Sequence, residues 1–537
     1  MKNFSFNKAV LGGLLVSSVA LASCEDFLDV NQNPNNPTEA SATLVLPNAQ
    51  FRTATRLGND LNILGNLWTE NWAQAQDYIY YVPQQSYGLT PLSYEPTWTD
   101  LYAGSLRDLS YVLAEAQRSN ATNTIAIVKI MQAYNYQLLV DAWGDVPYGD
   151  ALQGTDNLAP RFEDDQVVYD NIIDLLNEGI AAINTTAATP GSADIVFRGN
   201  MTQWRKFANT IKLRVYVRQS GARPDVARAG IQAMQTAGAQ FLGADESATA
   251  NPGFLNTAGK TNPLVANIGY NTTGGPTGGY QATRANTLGV NYLKATNDTL
   301  RLKRIYTPVA GRTDIARNYV AVASGDIRAQ VPSPIASARL SGIGPGVIRP
   351  FAQNGFAQPI YLLSSAESFF LQAEAAERGW LTGGTAAAKT AYEAGITESF
   401  KILGVASPQA AATAYYSQTG VAGRKVTDTN APTALTSNGQ FDPKAVDPSY
   451  NGTGDKIEKI ITQKWIANNG INGFESWNEY RRTGFPSGIY TSLNSIEASN
   501  PNKIPVRIPY PQTEIANNPN SPKGSTTFTP KVFWDVN

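Results

Sequence analysis

The chain has 537 residues, enough for a large compound domain, and its 42 Lys+Arg nearly balance 43 Asp+Glu, which leaves no basic field for nucleic acid. Charged residues make up only 16% of it, so Asn, Gln, Ser, Thr, Gly and Tyr carry the polarity. There is no histidine and only one cysteine, Cys24; this excludes Ser-His-Asp triads, Cys-His pairs, histidine or cysteine metal centres and internal disulfides, and leaves carboxylate-pair chemistry open.

Residues 1–23 have the form of a secretion leader. Lys2 and Lys8 supply the positive start, Ala9 to Leu21 is an uncharged apolar stretch, and Leu21-Ala22-Ser23-Cys24 closes it. Small residues directly before a lone cysteine match the bacterial lipobox, whose cysteine is acylated and becomes the first mature residue. The alternative is an ordinary leader with an incidental cysteine. The position of the only cysteine at the expected cleavage point favours lipidation of Cys24. No later segment is apolar over a bilayer-spanning length, so acyl chains are expected to hold an otherwise soluble body. Residues 24–43 include Asn31-Gln-Asn-Pro-Asn-Asn-Pro37 and read as an extended tether.

Helices are predicted over Leu44–Leu57 and Asp60–Asp77, the second carrying Trp68 and Trp72. Trp98–Arg118 is amphipathic and pairs across a short loop with Thr124–Trp143. In that second helix Ile127, Ile130, Met131, Tyr134, Leu138 and Ala142 recur at steps of three and four. Ile125, Val128, Ala133, Tyr136, Leu139 and Val140 fill the other faces, so neighbours must cover it on most sides. Gln132, Asn135 and Gln137 argue for a buried helix rather than a membrane span. Gly144 suits its end and Pro147 forbids a restart. Phe162–Ile183, Met201–Ser220 and Pro224–Ala237 continue the series. The expected fold class is mainly α: tetratricopeptide-like helical hairpins forming a superhelical scaffold, with an irregular loop-rich subdomain. No strict repeat of about 34 residues is visible.

Residues 240–356 break the pattern. Asn251 to Tyr280 is dense in Gly, Asn, Thr and Pro, and a loose run follows at Pro332–Pro350. Long irregular stretches inside compact proteins are usually functional. Helices resume at Pro359–Arg378 and Thr385–Leu403. Residues 417–454 form a second irregular insertion. Asp455–Arg482 is helical with a break at Asn468–Gly473, and Ile504 to Pro511 is extended by its prolines.

Several blocks, taken in order, resemble one family. They are Cys24-Glu-Asp-Phe-Leu-Asp29 with the Asn/Pro run, Asp141-Ala-Trp-Gly-Asp-Val-Pro-Tyr148, Tyr361 to Ala375, Trp465 with Gly473 to Arg482, and Arg507-Ile-Pro-Tyr-Pro511 with Glu514. Together with the lipobox they resemble the SusD/RagB family of nutrient-binding surface lipoproteins of Bacteroidetes, in its branch of starch-binding proteins that associate with the outer membrane. The resemblance implies a helical tetratricopeptide-type scaffold, a place on the outer face of the outer membrane, and a lid-like partnership with a SusC-like, TonB-dependent transporter. It implies no catalysis. It leaves room for a structural calcium, which some relatives carry, and names no other cofactor.

Two groups of rings are candidate ligand contacts. Trp72, Tyr78, Tyr80, Tyr81 and Tyr87 crowd one stretch beside Gln74, Gln76, Gln84 and Gln85; Tyr270 and Tyr280 flank the Gly-rich loop. Flat rings stack on the apolar faces of sugars, and amides take hydroxyl hydrogen bonds. The competing reading is core packing, which is the expectation for Trp68. Asp141, Asp145 and Asp150 lack EF-hand spacing and read as a helix end and turn. Glu475 and Glu479, one turn apart, are either paired carboxylates or a solvated or ion-paired face with Arg481 and Arg482.

The expected organisation is a leader (1–23), a lipidated tether (24–43) and one body (44–537). Within the body, helical repeats span about 44–239 and 357–416, irregular insertions 240–356 and 417–454, and C-terminal helices with an extended tail 455–537. The expected function is capture of a nutrient, first of all an oligosaccharide, for delivery to the transporter. The alternatives are a surface glycoside hydrolase with paired carboxylates and a helical-repeat scaffold that binds protein.

Overall fold

The computed structural model describes residues 41–309, 318–326, 336–421, 424, 446–497 and 503–537. The leader, Cys24 and nearly all of the tether lie outside the described residues, as do 422–423 and 425–445 of the second insertion. Among those described the fold is helical. Ser41 caps α1 (Ala42–Thr55), its hydroxyl accepting from the Thr43 amide. A π-helical turn (Arg56–Leu61) leads into α2 (Asn62–Trp68). After a second π-helical turn (Asp100–Leu106) come α3 (Arg107–Arg118) and α4 (Thr122–Trp143). Next are α5 (Asp165–Ala182), α6 (Met201–Arg218) and α7 (Pro224–Thr236). Later in the chain lie α8 (Ser365–Glu377), α9 (Gly384–Ile402), α10 (Lys456–Asn468) and α11 (Gly473–Thr483).

Helix α4 is central, as its apolar faces require. All its residues from Ala126 to Trp143 are buried except Lys129, whose ammonium meets Glu178 at 2.8 Å. It packs against α3, α5 and α6. Its polar groups are satisfied inside: the Tyr134 hydroxyl donates to the Leu362 carbonyl at 2.6 Å, and Gln137 Oε1 accepts from Arg214 at 2.8 Å. Gly144 ends it at φ 82°, ψ −124°, a combination that side chains resist. One hydrophobic core joins α1–α6 to the 242–363 segment, α11 and Trp534; a second gathers α8, α9, α10 and the helix Pro408–Tyr416.

Three expectations need correction. The helix expected over Asp60–Asp77 stops at Trp68. Glu70 adopts φ 60°, and Trp72–Gln74 form β1 instead. Pro359–Arg378 is two elements: a strand, then α8, started by Ser364, whose hydroxyl accepts from the Glu367 amide at 3.0 Å. The 240–356 insertion is also less irregular than its composition. It carries short helices at Pro263–Ile268, Gly278–Ala282, Thr287–Ala295 and Thr299–Ile305. Each pair of strands is antiparallel: β1 with β5 (Thr283–Ala285), β2 (Val146–Pro147) with β3 (Phe162–Glu163), and β4 (Ala248–Ala250) with β6 (Ile360–Leu363).

Glu475 and Glu479 are neither solvated nor an open pair. They lie in a buried charge network that ties α4, α6, α8, α10 and α11 together. Arg218 contacts Glu475 and sits 3.3 Å from Asp141; Lys464 reaches Glu479 at 3.1 Å, and Arg482 reaches Glu374 at 2.7 Å. Burial alone would raise both carboxyls. Burial is the largest single influence, but Arg218, Arg214 and Lys464 together outweigh it at Glu475, and Arg482, Lys464 and Arg218 at Glu479, so both are held below the usual carboxylate range.

Candidate functional site

The two ring groups flagged in the sequence meet through the β1–β5 pair. Gln74 lies opposite Thr283, and the Ala75 amide extends the ladder to the Ala282 carbonyl at 2.7 Å. Gln74 then shapes the loop that follows. Its Oε1 accepts from the amides of Tyr80 and Tyr81 at 2.7 and 2.5 Å, and its Nε2 donates to the Tyr78 carbonyl at 2.7 Å. One buried amide therefore closes residues 74–81 into a tight loop whose tip faces solvent: Ile79 is 81% exposed and Tyr80 46%.

The opposite side is built by residues 263–284. Asn262 caps the helix Pro263–Ile268. Asn271 organises the Gly-rich turn, its Oδ1 accepting from Thr273 and Gly275. Thr277 caps the helix Gly278–Ala282 and donates to the Asn267 carbonyl at 2.6 Å. The two sides are hydrogen-bonded to each other. The Tyr78 hydroxyl donates to Gln281 Oε1 at 2.8 Å, and the Tyr80 hydroxyl to Asn267 Oδ1 at 3.3 Å. Asn267 Nδ2 passes the chain on to Asn59 Oδ1 at 3.0 Å. Tyr270 and Tyr280, both half-buried, hold their rings 5.5 Å apart at 33°. Burial first, then the neighbouring Tyr270 phenol, pushes the Tyr280 hydroxyl above its ordinary value, so it stays a neutral donor.

Three candidates leave the site. The Trp72 ring is fully buried, with Nε1 donating to Asn469 at 3.0 Å. Tyr81 turns inward, its hydroxyl 2.9 Å from that of Thr283. Tyr87 is buried between Trp68 and Phe528, and its hydroxyl accepts from the Ser492 amide at 3.0 Å. These rings serve packing because both of their faces meet protein. What remains is Tyr78, Tyr80, Tyr270 and Tyr280, joined by Asn267 and Gln281, which sequence reasoning missed. Neither amide carries a local signal, since each sits in an unremarkable short helix. The surface is ring-bearing and rich in amides, with the buried Arg284 guanidinium donating to the Tyr280 carbonyl behind it at 2.6 Å, and it is suited to a ligand of hydroxyls and apolar faces.

The three aspartates named with the helix end do not converge. Asp141 is in the buried network, Asp145 accepts from the Asp165 amide at 3.1 Å, and Asp150 pairs with Arg161 at 2.6 Å. Among the described residues no cluster of three or more acidic, histidine or cysteine side chains is placed to hold a metal ion.

The family profile described as "starch-binding associating with outer membrane" matches residues 34–511. The chain belongs to this SusD-like family. Solved structures agree on the fold. A chitin-binding protein is 23% identical at a TM-score of 0.70, covering 93% of this chain and 100% of its own. A chitin-binding SusD homologue from Flavobacterium johnsoniae is 22% identical at 0.70, covering 92% and 99%. A SusD-like protein from Bacteroides thetaiotaomicron is 22% identical at 0.71, covering 93% and 99%. No curated protein matches. The SusD-like fold is the tetratricopeptide-like scaffold described above, and no helix among the described residues is long and apolar enough to cross a membrane.

Proposed function

We propose that this chain is a cell-surface lipoprotein, anchored in the outer membrane through acylated Cys24, that captures an oligosaccharide and passes it to a SusC-like, TonB-dependent transporter. Family membership supports the setting. The observation that carries the ligand reading is the meeting of Tyr78 and Tyr80 with Gln281 and Asn267 on one surface rich in rings and amides. A binding role rather than a hydrolytic one is supported by Glu475 and Glu479, whose carboxylates are engaged in buried ion pairs. Weak capture suffices: a millimolar dissociation constant is about 4 kcal/mol, and tethering beside a transporter raises the local concentration of ligand.

The names of two similar structures make chitin oligosaccharides the first ligands to test, with starch fragments beside them. Calorimetric titration paired with product analysis is the experiment. Binding without turnover is expected; release of shorter sugars, or no binding to any glycan offered, overturns the reading. The anchor is tested separately. Cys24→Ala should abolish palmitate labelling and release the protein from the membrane, and continued labelling would refute the assignment.

A further inference from the structure

A concave surface lies on elements that do not carry the tyrosine loop. Helix α6 forms its floor, and α5 and α7 form its walls, around about 1220 Å³ of open space. Arg205, Asn209, Lys212 and Tyr216 follow one another at steps of four, three and four, so they lie on one stripe of α6. Ile180 from α5 and Ala233 and Met234 from α7 make the walls aliphatic.

The charge of the cleft is one-sided. Arg205, Lys206 and Lys212 line it, and no acidic side chain does. Lys206 has a partner at the edge, Glu246 at 2.7 Å. The other two are bound only to neutral groups among the described residues: Arg205 donates to the Ile183 carbonyl at 3.3 Å and Lys212 to Asn177 Oδ1 at 2.5 Å. Partial burial pulls the Lys212 ammonium below its ordinary value, against the pull of Asp174 nearby. A half-buried ammonium with no carboxylate in direct contact is a place where an incoming anion gains more than it would at an open surface.

The shape selects among anions. A Cβ on Gly230 would lie 2.2 Å from the Tyr216 ring, so that ring packs on the α7 backbone, which covers part of it. Aliphatic walls over a cationic stripe suit a chain that carries acidic side chains on one side and apolar ones on the others. Arg205 and Lys212 are seven residues apart, about 10.5 Å along the helix axis. Three residues of a polyproline II helix rise about 9.3 Å and bring side chains i and i+3 back to the same side. We propose that the cleft between α5, α6 and α7 docks an acidic segment of a partner protein in the polyproline II conformation, with carboxylates three residues apart on one side meeting Arg205 and Lys212.

The probe is an end-capped synthetic peptide with glutamate at every third position and alanine or leucine between, followed by fluorescence anisotropy against the purified protein. Binding is expected to weaken as salt rises from about 50 to about 200 mM, and to be lost when glutamine replaces glutamate. The double variant Arg205→Gln, Lys212→Gln should bind about tenfold more weakly with an unchanged thermal melt. Arg205→Glu, Lys212→Glu should bind the matching lysine peptide instead, a gain that misfolding cannot produce. Failure of the wild-type protein to bind at low salt, equal binding by the double variant, or binding of an oligogalacturonate but not the peptide through the same two residues would each overturn the proposal. Glycan binding at the tyrosine loop is unaffected by any of these results.

Discussion

The Tyr80 hydroxyl stands 3.3 Å from Asn267 Oδ1 and donates to it, joining the loop after β1 to the segment that carries Tyr270 and Tyr280. Tyr80 is 46% exposed, so its ring contributes little to the core and is free to stack on a ligand. Tyr80→Ala should therefore leave the melting temperature within a few degrees of wild type and weaken glycan binding about tenfold, the equivalent of about 1.4 kcal/mol. Calorimetry beside thermal melts reads both. Wild-type affinity in Tyr80→Ala and in Asn267→Ala alike would move the site elsewhere.

Trp72 makes the opposite case. Its ring is enclosed on all sides, and its Nε1 donates to Asn469 at 3.0 Å. Trp72→Ala should cost about 3–5 kcal/mol of stability through the cavity and the orphaned acceptor. Denaturant titration measures this. A loss below about 1 kcal/mol would mean that the ring is accessible after all, and would return it to the candidate contacts.

Those two residues show what can be read before folding is known. Ring density between Trp72 and Tyr87 marked a stretch with ligand-contact candidates, yet density does not say which rings face inward. That is settled by β5, far along the chain, and by Gln74, whose amide closes the loop. Helix α4 was legible because apolar residues fill all its faces, a pattern that admits only a covered helix. The end of α2 was not, since Glu70 takes a left-handed turn without being glycine or asparagine. Ile360–Leu363 is a short apolar run that fits helix and strand equally, and pairing with Ala248–Ala250 decides it. Asn267 and Gln281 become candidates only through their contacts with Tyr80 and Tyr78.

The centrality of α4 gives a third expectation. Leu138 is buried to 1% exposure and belongs to the principal core. Leu138→Ala should cost about 2–5 kcal/mol, with Leu138→Met far milder because it conserves volume. Urea titrations of both variants decide it; equal and small losses would make the helix peripheral.

The last expectation concerns Glu70, the residue that turns the chain from α2 into β1. It is fully buried. Its Oε2 accepts from Asn286, with Ser324 and Tyr490 also hydrogen-bonded to the carboxyl, while Oε1 has no hydrogen-bond partner among the described residues. No ion pair compensates its charge there. Burial pushes the carboxyl up to about 8, against the smaller opposing pull of Ser324, Tyr490 and Asn286. The folded protein therefore holds a proton at neutral pH that the unfolded chain, with an ordinary carboxyl near 4.5, has released. Between those two values the native state binds more protons, so its stability falls as pH rises, by about 1.4 kcal/mol per pH unit from this group alone. Below the window both states are protonated, and above it both are ionised, so the slope vanishes at either end. Glu70→Gln keeps the shape and most of the hydrogen bonds and removes the proton. Subtracting its stability curve from that of the wild type, across pH 4 to 9 in urea, should leave this slope within the window and nothing outside it. Parallel curves would mean that Glu70 is ionised in the native fold, with a countercharge close enough to hold it so.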